Sequence, residues 1–440
     1  MRGKDDDINR LVAFDFAATG VRAIAARVLE DGSIRVLSSE HRMADEIKHG
    51  IIGQPSGTAF NVTSLLKQLQ NSAGFQEPIT QIATAVGGKS MRIVRASVSR
   101  KLNKSKEITN DIIDDMALEC EKSYQAKNML VYDTIPVIYE LDGKETENPE
   151  GQRAYNIVGH YHLVVGSELM KLQLQKCMER IYNCSVDYIS LAAEALAYAV
   201  AEEEDRENGC AIINMGDTFT TLAIYRHELL QYLLVVPFGG GNITRDIEEI
   251  GISQAHAEKV KRLQGVAAQS FVENEVHIRI PAKNPDDEPL VVPKTFLAMI
   301  IESRLDEIFN PIFQQLQAFQ HEIPNGIIIS GGAAKLTNIK EYLEMKTGLP
   351  VRTGDHSGWL SDDTPEEYDD LEYAQIIGTI ILAHEHKMEN REPVESDPPK
   401  KTKNKRKSFT EKITQGIFSF FEDDTELRDS NQQTKTTEYE

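Results

Sequence analysis

Two short turns of this sequence have the composition of loops that hold phosphate groups. The first, Asp15-Phe16-Ala17-Ala18-Thr19-Gly20, begins where an apolar run ends in a carboxylate. The second, Asn214-Met215-Gly216-Asp217-Thr218-Phe219, follows another apolar run about two hundred residues later. A small polar turn between two strands can direct backbone N–H groups at an anion. These turns are therefore candidates for one side of a ligand site.

Two glycine-rich segments could form the other side of that site. Phe238 to Ile247 opens a predicted helix after three consecutive glycines, and Gly326 to Leu336 joins a buried strand to a Gly331-Gly332 turn and a helix start. Glycine lets a ligand approach the backbone, and a helix N-terminus offers free N–H donors. Each segment also reads as a simple connector. Glu258 and Lys261 lie three residues apart on one predicted helix, where an ordinary surface ion pair is the alternative to a binding role.

The elements that would position these turns form a repeated pattern. Residues 11–38 and 210–237 each read as strand, turn, strand, turn, strand, with hairpin turns at Asp31-Gly32 and at 226–228. Helical spacing follows each unit, so a mixed α/β fold is expected. The predicted helices span 63–72, 110–126, 166–182, 190–203, 253–263, 293–317 and 371–386.

In this order, the segments resemble the actin-like ATPase superfamily, and within it most closely the FtsA family of bacterial cell division proteins. The resemblance implies a two-lobed fold of duplicated RNase H-like domains. It predicts a first lobe at 11–204, with an FtsA-type subdomain inserted at about 88–164. It also predicts a second lobe at 205–388, with a smaller subdomain at about 246–322 and a segment at about 360–388 packing back on the first lobe.

The resemblance also implies an ATP site in the cleft between the lobes, with Asp15 as a candidate Mg²⁺ ligand and no assigned catalytic residue. The residues that match the family's nucleotide motifs are Asp15, Thr19, Gly216, Gly239, Gly240, Gly241, Glu258, Lys261, Gly331, Gly332, Ala333 and Lys335.

The departures from the family pattern concern the phosphates. In the first turn Ala17 replaces a glycine and Gly20 replaces the lysine, so one charge-assisted contact is missing. In the second turn Asn214 and Thr221 replace aspartates, and Asp217 and Phe219 stand where small residues are usual. These changes predict weak ATP binding and weak or absent hydrolysis. Whether the chain is an enzyme stays open. The alternatives are an active actin-fold ATPase or kinase, and a pilus-assembly or rod-shape actin homologue.

Composition and charge limit the compartments and partners that we expect for this protein. The net charge of −21 argues against nucleic acid as the main partner. The four cysteines form no CxxC pair, so inert thiols in a reducing compartment are expected. No uninterrupted apolar run reaches the length of a membrane span, and the acidic N-terminus does not resemble a signal peptide.

The C-terminal segment predicts a membrane attachment. A basic, disordered linker at 389–407 precedes an amphipathic helix at 408–422, and a disordered tail follows at 423–440. The apolar face of the helix needs either a bilayer or a groove on another protein, and the preceding lysines favour anionic lipid. The residues expected to insert are Phe409, Ile413, Ile417, Phe420 and Phe421.

Together these features predict an FtsA-like adaptor at the division site, on the cytoplasmic face of the membrane. By resemblance, it would bind the C-terminal peptide of the tubulin-like protein FtsZ, recruit other division proteins and associate with itself into filaments. The candidate contacts for the acidic peptide are Arg304, Asn242 and Asp246, although Arg304 could equally be paired with acids on its own helix.

Overall fold

The computed structural model describes residues 9–44, 46–274, 276–284 and 287–390. The predicted amphipathic helix and its five membrane residues, Phe409, Ile413, Ile417, Phe420 and Phe421, lie outside these ranges, as does the predicted tail. Within the described residues, no helix is both long and apolar enough to cross a bilayer.

The first lobe is built on a five-stranded sheet. Strands β1 (Arg10–Ala17), β2 (Gly20–Val28) and β3 (Ile34–Arg42) form the predicted antiparallel meander. A short hairpin, β4 (Ile47–Lys48) and β5 (Ile51–Ile52), leads into helix α1 (Pro55–Ser72). Strand β6 (Gln81–Val86) then pairs with β1 in parallel. Helix α1 begins eight residues before the expected Thr63, because Pro55 suits a first helical turn.

A second sheet follows β6 in the chain. Strand β7 (Arg92–Glu107) precedes helix α2 (Asn110–Ser123), and β8 (Met129–Leu141) turns at Asp142-Gly143 into β9 (Lys144–Thr146). Strand β10 (Arg153–Ser167) lies between β7 and β8, which gives the order β7-β10-β8-β9. Both turn residues have positive φ, 49° for Asp142 and 84° for Gly143, as the predicted hairpin requires.

Four elements complete the first half of the chain. Helix α3 (Glu168–Met178) leads to β11 (Ser185–Leu191), which pairs with β6 and gives the order β11-β6-β1-β2-β3. Helices α4 (Ala192–Val200) and α5 (Glu203–Asn208) then connect to the second lobe.

The second lobe repeats this topology. Strands β12 (Cys210–Met215), β13 (Thr220–Arg226) and β14 (Leu229–Val236) form another antiparallel meander. The parallel neighbours that follow much later in the chain are β17 (Ile327–Ser330) and β18 (Val351–Thr353), so the order is β14-β13-β12-β17-β18. Each lobe therefore has a three-strand meander followed by two parallel strands, which confirms the predicted duplication.

A smaller group of elements lies between β14 and β17. Helices α6 (Gly240–Glu248) and α7 (Gln254–Gln264) precede the hairpin of β15 (His277–Ile280) and β16 (Leu290–Pro293), and the long helix α8 (Lys294–Ala318) follows. One apolar core joins them to the five-stranded sheet of the second lobe, and it includes Ile243, Ile247, Ile301, Leu305 and Phe309.

The last two helices differ in how well the sequence located them. Helix α9 (Ile339–Thr347) begins later than expected, because Gly332–Lys335 forms a single 3₁₀ turn. Thr337 then pairs with Val266 in an isolated bridge, so the chain is extended there. Helix α10 (Ala374–Glu389) packs on the first sheet through Ile376, Ile377 and Ile380.

Candidate functional site

The first turn joins β1 to β2 at the edge of the cleft between the lobes. Asp15 lies in β1, two residues before that strand ends at Ala17, and its carboxylate accepts a hydrogen bond from Gln375 Nε2 at 3.0 Å. Burial raises the pKa of Asp15, while Arg22 and the Gln375 bond act in the opposite direction. Thr19 is exposed at the tip of the turn. The carboxylate at the centre of this candidate site therefore already has a protein partner.

The absence of a lysine at position 20 has a structural cause. Gly20 has φ of 139°, and a Cβ there would lie 2.2 Å from the carbonyl oxygen of Arg42. No side chain fits this position without moving the backbone at the end of β3. The first turn thus cannot present the basic group that would contact a phosphate.

The second turn lies opposite the first and is tied to the same glutamine. Asn214 in β12 donates from Nδ2 to Gln375 Oε1 at 3.2 Å. Gln375, in the first turn of α10, therefore bridges Asp15 of one lobe and Asn214 of the other. Sequence reasoning missed Gln375, because 360 residues separate it from Asp15 and nothing in its own neighbourhood marks it.

The glycines at the start of α6 pack against the second turn. The amide of Gly240 donates to Gly216 O at 2.9 Å, and the amide of Gly241 donates to Asp217 O at 2.9 Å. The amide of Gly239 is capped by Asn242 Oδ1 at 3.1 Å. A Cβ on Gly239 would lie 2.4 Å from Gly216 O. These glycines allow the turn and the helix to touch, and their amides are already bonded.

Glu258 and Lys261 form a partly buried network with Thr244. Lys261 Nζ donates to Glu258 Oε2 at 2.6 Å, to Thr244 Oγ1 at 2.8 Å and to Gly240 O at 3.1 Å. The lysine side chain is only 10% exposed. Burial alone would raise the pKa of Glu258, but the bonds from Lys261 and Thr244 outweigh it and lower that pKa. An ordinary surface pair is therefore the wrong description, because the network fastens α6 to α7.

The Gly331-Gly332 turn faces both the second turn and α6. Gly331 has φ of 95°, and a Cβ there would lie 2.4 Å from Asn214 Oδ1. A Cβ on Gly240 would lie 2.7 Å from the Cβ of Ala333. The structure therefore brings together five of the residues that match the family's nucleotide motifs, Gly240, Glu258, Lys261, Gly331 and Ala333.

An ion-pair network crosses the cleft beside this turn. Lys335 Nζ lies 2.6 Å from Asp370 Oδ2 and 2.8 Å from Glu372 Oε1. Arg22 of β2 donates to Glu372 Oε2 at 2.9 Å and to Glu372 O at 2.7 Å, and its guanidinium lies over the Tyr373 ring at 4.6 Å. Sequence reasoning predicted Lys335 but missed Arg22 and Glu372. This network connects β2 of the first lobe with the glycine turn of the second.

The basic side chains beside these turns are already paired within the chain. Arg22, Lys261 and Lys335 are all paired with carboxylates of the chain itself, and the glycine amides are bonded internally. Two further carboxylates, those of Asp15 and Asp217, lie in or beside the two turns. Among the residues described here, no three histidine, cysteine, aspartate or glutamate side chains converge on a metal position, so Asp15 as a Mg²⁺ ligand stays a prediction.

An apolar cavity lies between the lobes, next to Asn214 and Gln375. Gly87, Ala192 and Leu196 line it from the first half of the chain, and Phe219 and Leu233 line it from the second lobe. Its volume is about 30 Å³, which is room for two or three water molecules at about 10–15 Å³ each. The lobes are therefore in close contact at the base of the cleft.

The candidate partner residues lie on α6 and α8. Arg304 donates to Asp246 Oδ1 at 2.7 Å and Oδ2 at 2.5 Å, and also to Glu307 Oε2 at 2.5 Å. Its side chain is 22% exposed. Asn242 caps the start of α6. Arg304 and Asp246 thus join two helices, and each keeps part of its surface accessible.

A family model described as cell division protein FtsA matches residues 211–378. FtsA of Borreliella burgdorferi is 23% identical over 393 residues, which cover 87% of this chain and 93% of the relative. FtsA of Neisseria meningitidis serogroup B is 28% identical, and the match covers 76% of this chain and 85% of the relative. FtsA of Escherichia coli K12 is 23% identical, and the match covers 89% of this chain and 94% of the relative.

Solved structures support the fold. The PilM–PilN type IV pilus biogenesis complex contains a chain with a TM-score of 0.60 at 13% identity, covering 85% of this chain and 98% of that one. MreB5 of Spiroplasma citri bound to ADP gives a TM-score of 0.54 at 14% identity, covering 87% and 98%. These likenesses establish an actin-like fold. The curated relatives that match over most of this chain's length are FtsA cell division proteins, and the chain is similar to them at 23–28% identity.

Proposed function

We propose that this protein is a membrane adaptor that attaches FtsZ filaments to the cytoplasmic face of the cell membrane at the division site. The observation that carries the proposal is the cleft of an FtsA-like fold in which the chain's own side chains join the lobes. Such a cleft favours a scaffold over a turnover enzyme, because Asp15, Arg22 and Lys335 already have protein partners.

The first part of the proposal is membrane attachment through residues 408–422. Phe409, Ile413, Ile417, Phe420 and Phe421 insert among the acyl chains, and the basic residues before them contact anionic headgroups. The full chain should co-sediment with anionic vesicles, and a chain ending at Lys407 should stay in the supernatant. An Ile413→Glu variant should also stay in the supernatant, and added salt should weaken binding of the intact chain. Equal pelleting of the full and truncated chains would refute the anchor.

The second part is recognition of an acidic FtsZ tail peptide by the smaller part of the second lobe, with Arg304 as the main contact. Arg304→Glu should abolish peptide binding in a pull-down. Lys67→Glu is the matched control, since it makes the same charge change on the exposed face of α1 in the first lobe. Unchanged binding by the Arg304 variant would move the site elsewhere.

Arg304 also pairs with Asp246, so a loss of binding needs a control for structure. A double variant, Arg304→Asp with Asp246→Arg, keeps one acid and one base between α6 and α8 but exchanges their places. If Arg304 recognises the peptide, this exchange restores thermal stability and leaves binding weak. If the double variant recovered both thermal stability and peptide binding, the Arg304–Asp246 pair would only stabilise the contact between α6 and α8.

The third part is weak binding of ATP with Mg²⁺, and self-association into filaments that recruit further division proteins. MreB5 has a similar fold and was solved with ADP bound, which supports nucleotide binding in this cleft. The basic side chains beside the cleft are paired with carboxylates of the chain, which supports a low affinity for ATP. Purified protein should hydrolyse ATP well below about 1 s⁻¹, the lower end of ordinary enzyme turnover. A rate above that value would favour an active ATPase.

A further inference from the structure

Asp217 occupies an unusual place in the second turn. Its carbonyl accepts the Gly241 amide at 2.9 Å, and its side chain also turns toward the start of α6. A Cβ built on Gly241 would lie 2.8 Å from Asp217 Oδ1, so the carboxyl group rests directly on this helix end. Asp217 is nevertheless open to solvent along the cleft.

Two basic groups and a helix end act on the Asp217 carboxyl, although its net pKa is raised. Burial raises the pKa of the Asp217 carboxyl, and Glu258 adds to this effect, but Lys261 and Arg245 act in the opposite direction. The partial positive charge of a helix N-terminus also favours an anion there. These are the two features that a phosphate group would use at the same position. A carboxylate that is part of the chain therefore lies at the helix end that a phosphate would have to approach.

We propose that Asp217 is a built-in anion that takes the phosphate position at the start of α6 and determines the low affinity of this cleft for nucleoside polyphosphates. The inference rests on the weak ATP binding proposed above and names its cause. A nucleotide entering the cleft must place its phosphates beside the Asp217 carboxylate. At that position the amides of Gly240 and Gly241 are already donated to Gly216 and Asp217.

The nucleoside side of the cleft has no such obstacle. Glu258 and Lys261 lie near enough to Asp217 to act on its pKa, but the nucleoside that they would contact carries no charge. Removal of the charge at position 217 should therefore improve binding in proportion to the negative charge of the ligand. Adenosine should not distinguish the variants, whereas ATP should.

The test is isothermal titration of the full-length protein with Mg-ATP and, separately, with adenosine. Asp217→Asn keeps the size of the side chain and removes its charge, so it should bind Mg-ATP about tenfold more tightly, which corresponds to about 1.4 kcal/mol. Asp217→Glu should bind Mg-ATP like the unmodified chain. Asp111→Asn, which removes an exposed carboxylate from α2, is the charge-matched control and should also behave like the unmodified chain.

Three results would overturn the inference. Unchanged affinity of Asp217→Asn for Mg-ATP would show that the carboxylate does not limit binding. Weaker affinity would show that Asp217 holds the cation of a bound Mg-ATP. An equal gain for adenosine would show that the substitution widens the cleft and that charge is not the cause. Asp217→Ser, checked by circular dichroism, repeats the comparison if the asparagine variant folds poorly. Vesicle and peptide binding are measured separately, so failure here leaves the adaptor function testable.

Discussion

The meander β1–β3 and the meander β12–β14 are two versions of one unit, and they differ mainly at a single turn. In the first, Ala17 pairs with Gly20, so only two residues form the turn. In the second, Met215 pairs with Thr220, and the four residues between them include Asp217 and Phe219. Buried alternating side chains maintain both sets of strands. The turns carry no such constraint, so their chemistry has diverged while the sheets have not.

The helices that follow each unit also differ. Helix α4 carries Glu194 in its first turn, whereas α10 carries Gln375. Burial raises the pKa of Glu194 to about 7, while Gln375 is neutral and connects the two meanders. The two helices cross at Gly378, where they are close enough that no side chain fits. The crossing of α4 and α10 therefore leaves no room for a side chain at Gly378. The first turn of α4 carries an ionisable group, whereas the first turn of α10 carries a neutral one.

The largest expected effect concerns that crossing. A Cβ at Gly378 would lie 1.7 Å from the carbonyl oxygen of Ala195, which is a backbone atom and cannot turn away. Gly378→Val should therefore reduce the free energy of unfolding by about 3 kcal/mol or more, measured by urea denaturation. Gly358→Ala is the control, since nothing lies within 4 Å of its added Cβ, and it should change stability by no more than about 0.5 kcal/mol. If Gly378→Val lost little free energy of unfolding, the two helices would be able to move apart to admit the side chain.

The second effect is the pH dependence of Glu194. Burial is the main cause of its raised pKa, Glu385 adds to it, and Arg206 opposes it. Because the folded pKa, about 7, exceeds the unfolded value near 4.5, the folded chain binds the proton more tightly. This contribution to stability is full below about pH 4.5 and is lost as the pH rises to about 7.

Glu194→Gln removes this titration. Relative to the unmodified chain, the variant should gain roughly 2 kcal/mol of unfolding free energy between pH 5 and pH 8. Urea denaturation at the two pH values measures the difference. A difference between the two proteins that is the same at pH 5 and pH 8 would contradict a raised pKa at Glu194.

The smallest effect concerns the bridge between the meanders. Gln375→Ala leaves the Asp15 carboxylate without its amide donor and Asn214 without its acceptor. The loss should be about 1–2 kcal/mol, because a buried acceptor loses its partner. Gln81→Ala, which removes an exposed amide bonded to Asp187, should cost less than about 0.5 kcal/mol. If the two variants lose equal stability, the Gln375 bridge does not hold the lobes together.

The sequence predicted the parts of the fold that depend on local patterns. Alternating strands, the Asp31-Gly32 and Asp142-Gly143 turns and the long amphipathic helices are set by neighbours in the chain, and the structure confirms them. The helix start predicted after the Gly331-Gly332 turn is a 3₁₀ turn at Gly332–Lys335, and the α-helix begins only at Ile339, because Thr337 pairs with distant Val266. Contacts of that kind leave no local trace.

The candidate site was predictable to a similar extent. Its glycines and the Glu258–Lys261 pair stood out by residue type and spacing. The hydrogen bonds that connect the site could not be predicted. Arg22 and Glu372 are 350 residues apart in the sequence, and Asp15 and Gln375 are 360 residues apart. Arginine and glutamine are common on protein surfaces, so only the closed fold shows that these residues fasten the two lobes.

The most direct test of the account is recruitment of FtsZ filaments to anionic vesicles without added ATP. Polymerised FtsZ, this protein and vesicles are mixed and sedimented, with the chain ending at Lys407 and the Arg304→Glu variant as controls. The account predicts that FtsZ sediments with vesicles only when the intact full chain is present, and equally well with and without ATP. FtsZ that stays in the supernatant, or that sediments only when ATP is added, would contradict it.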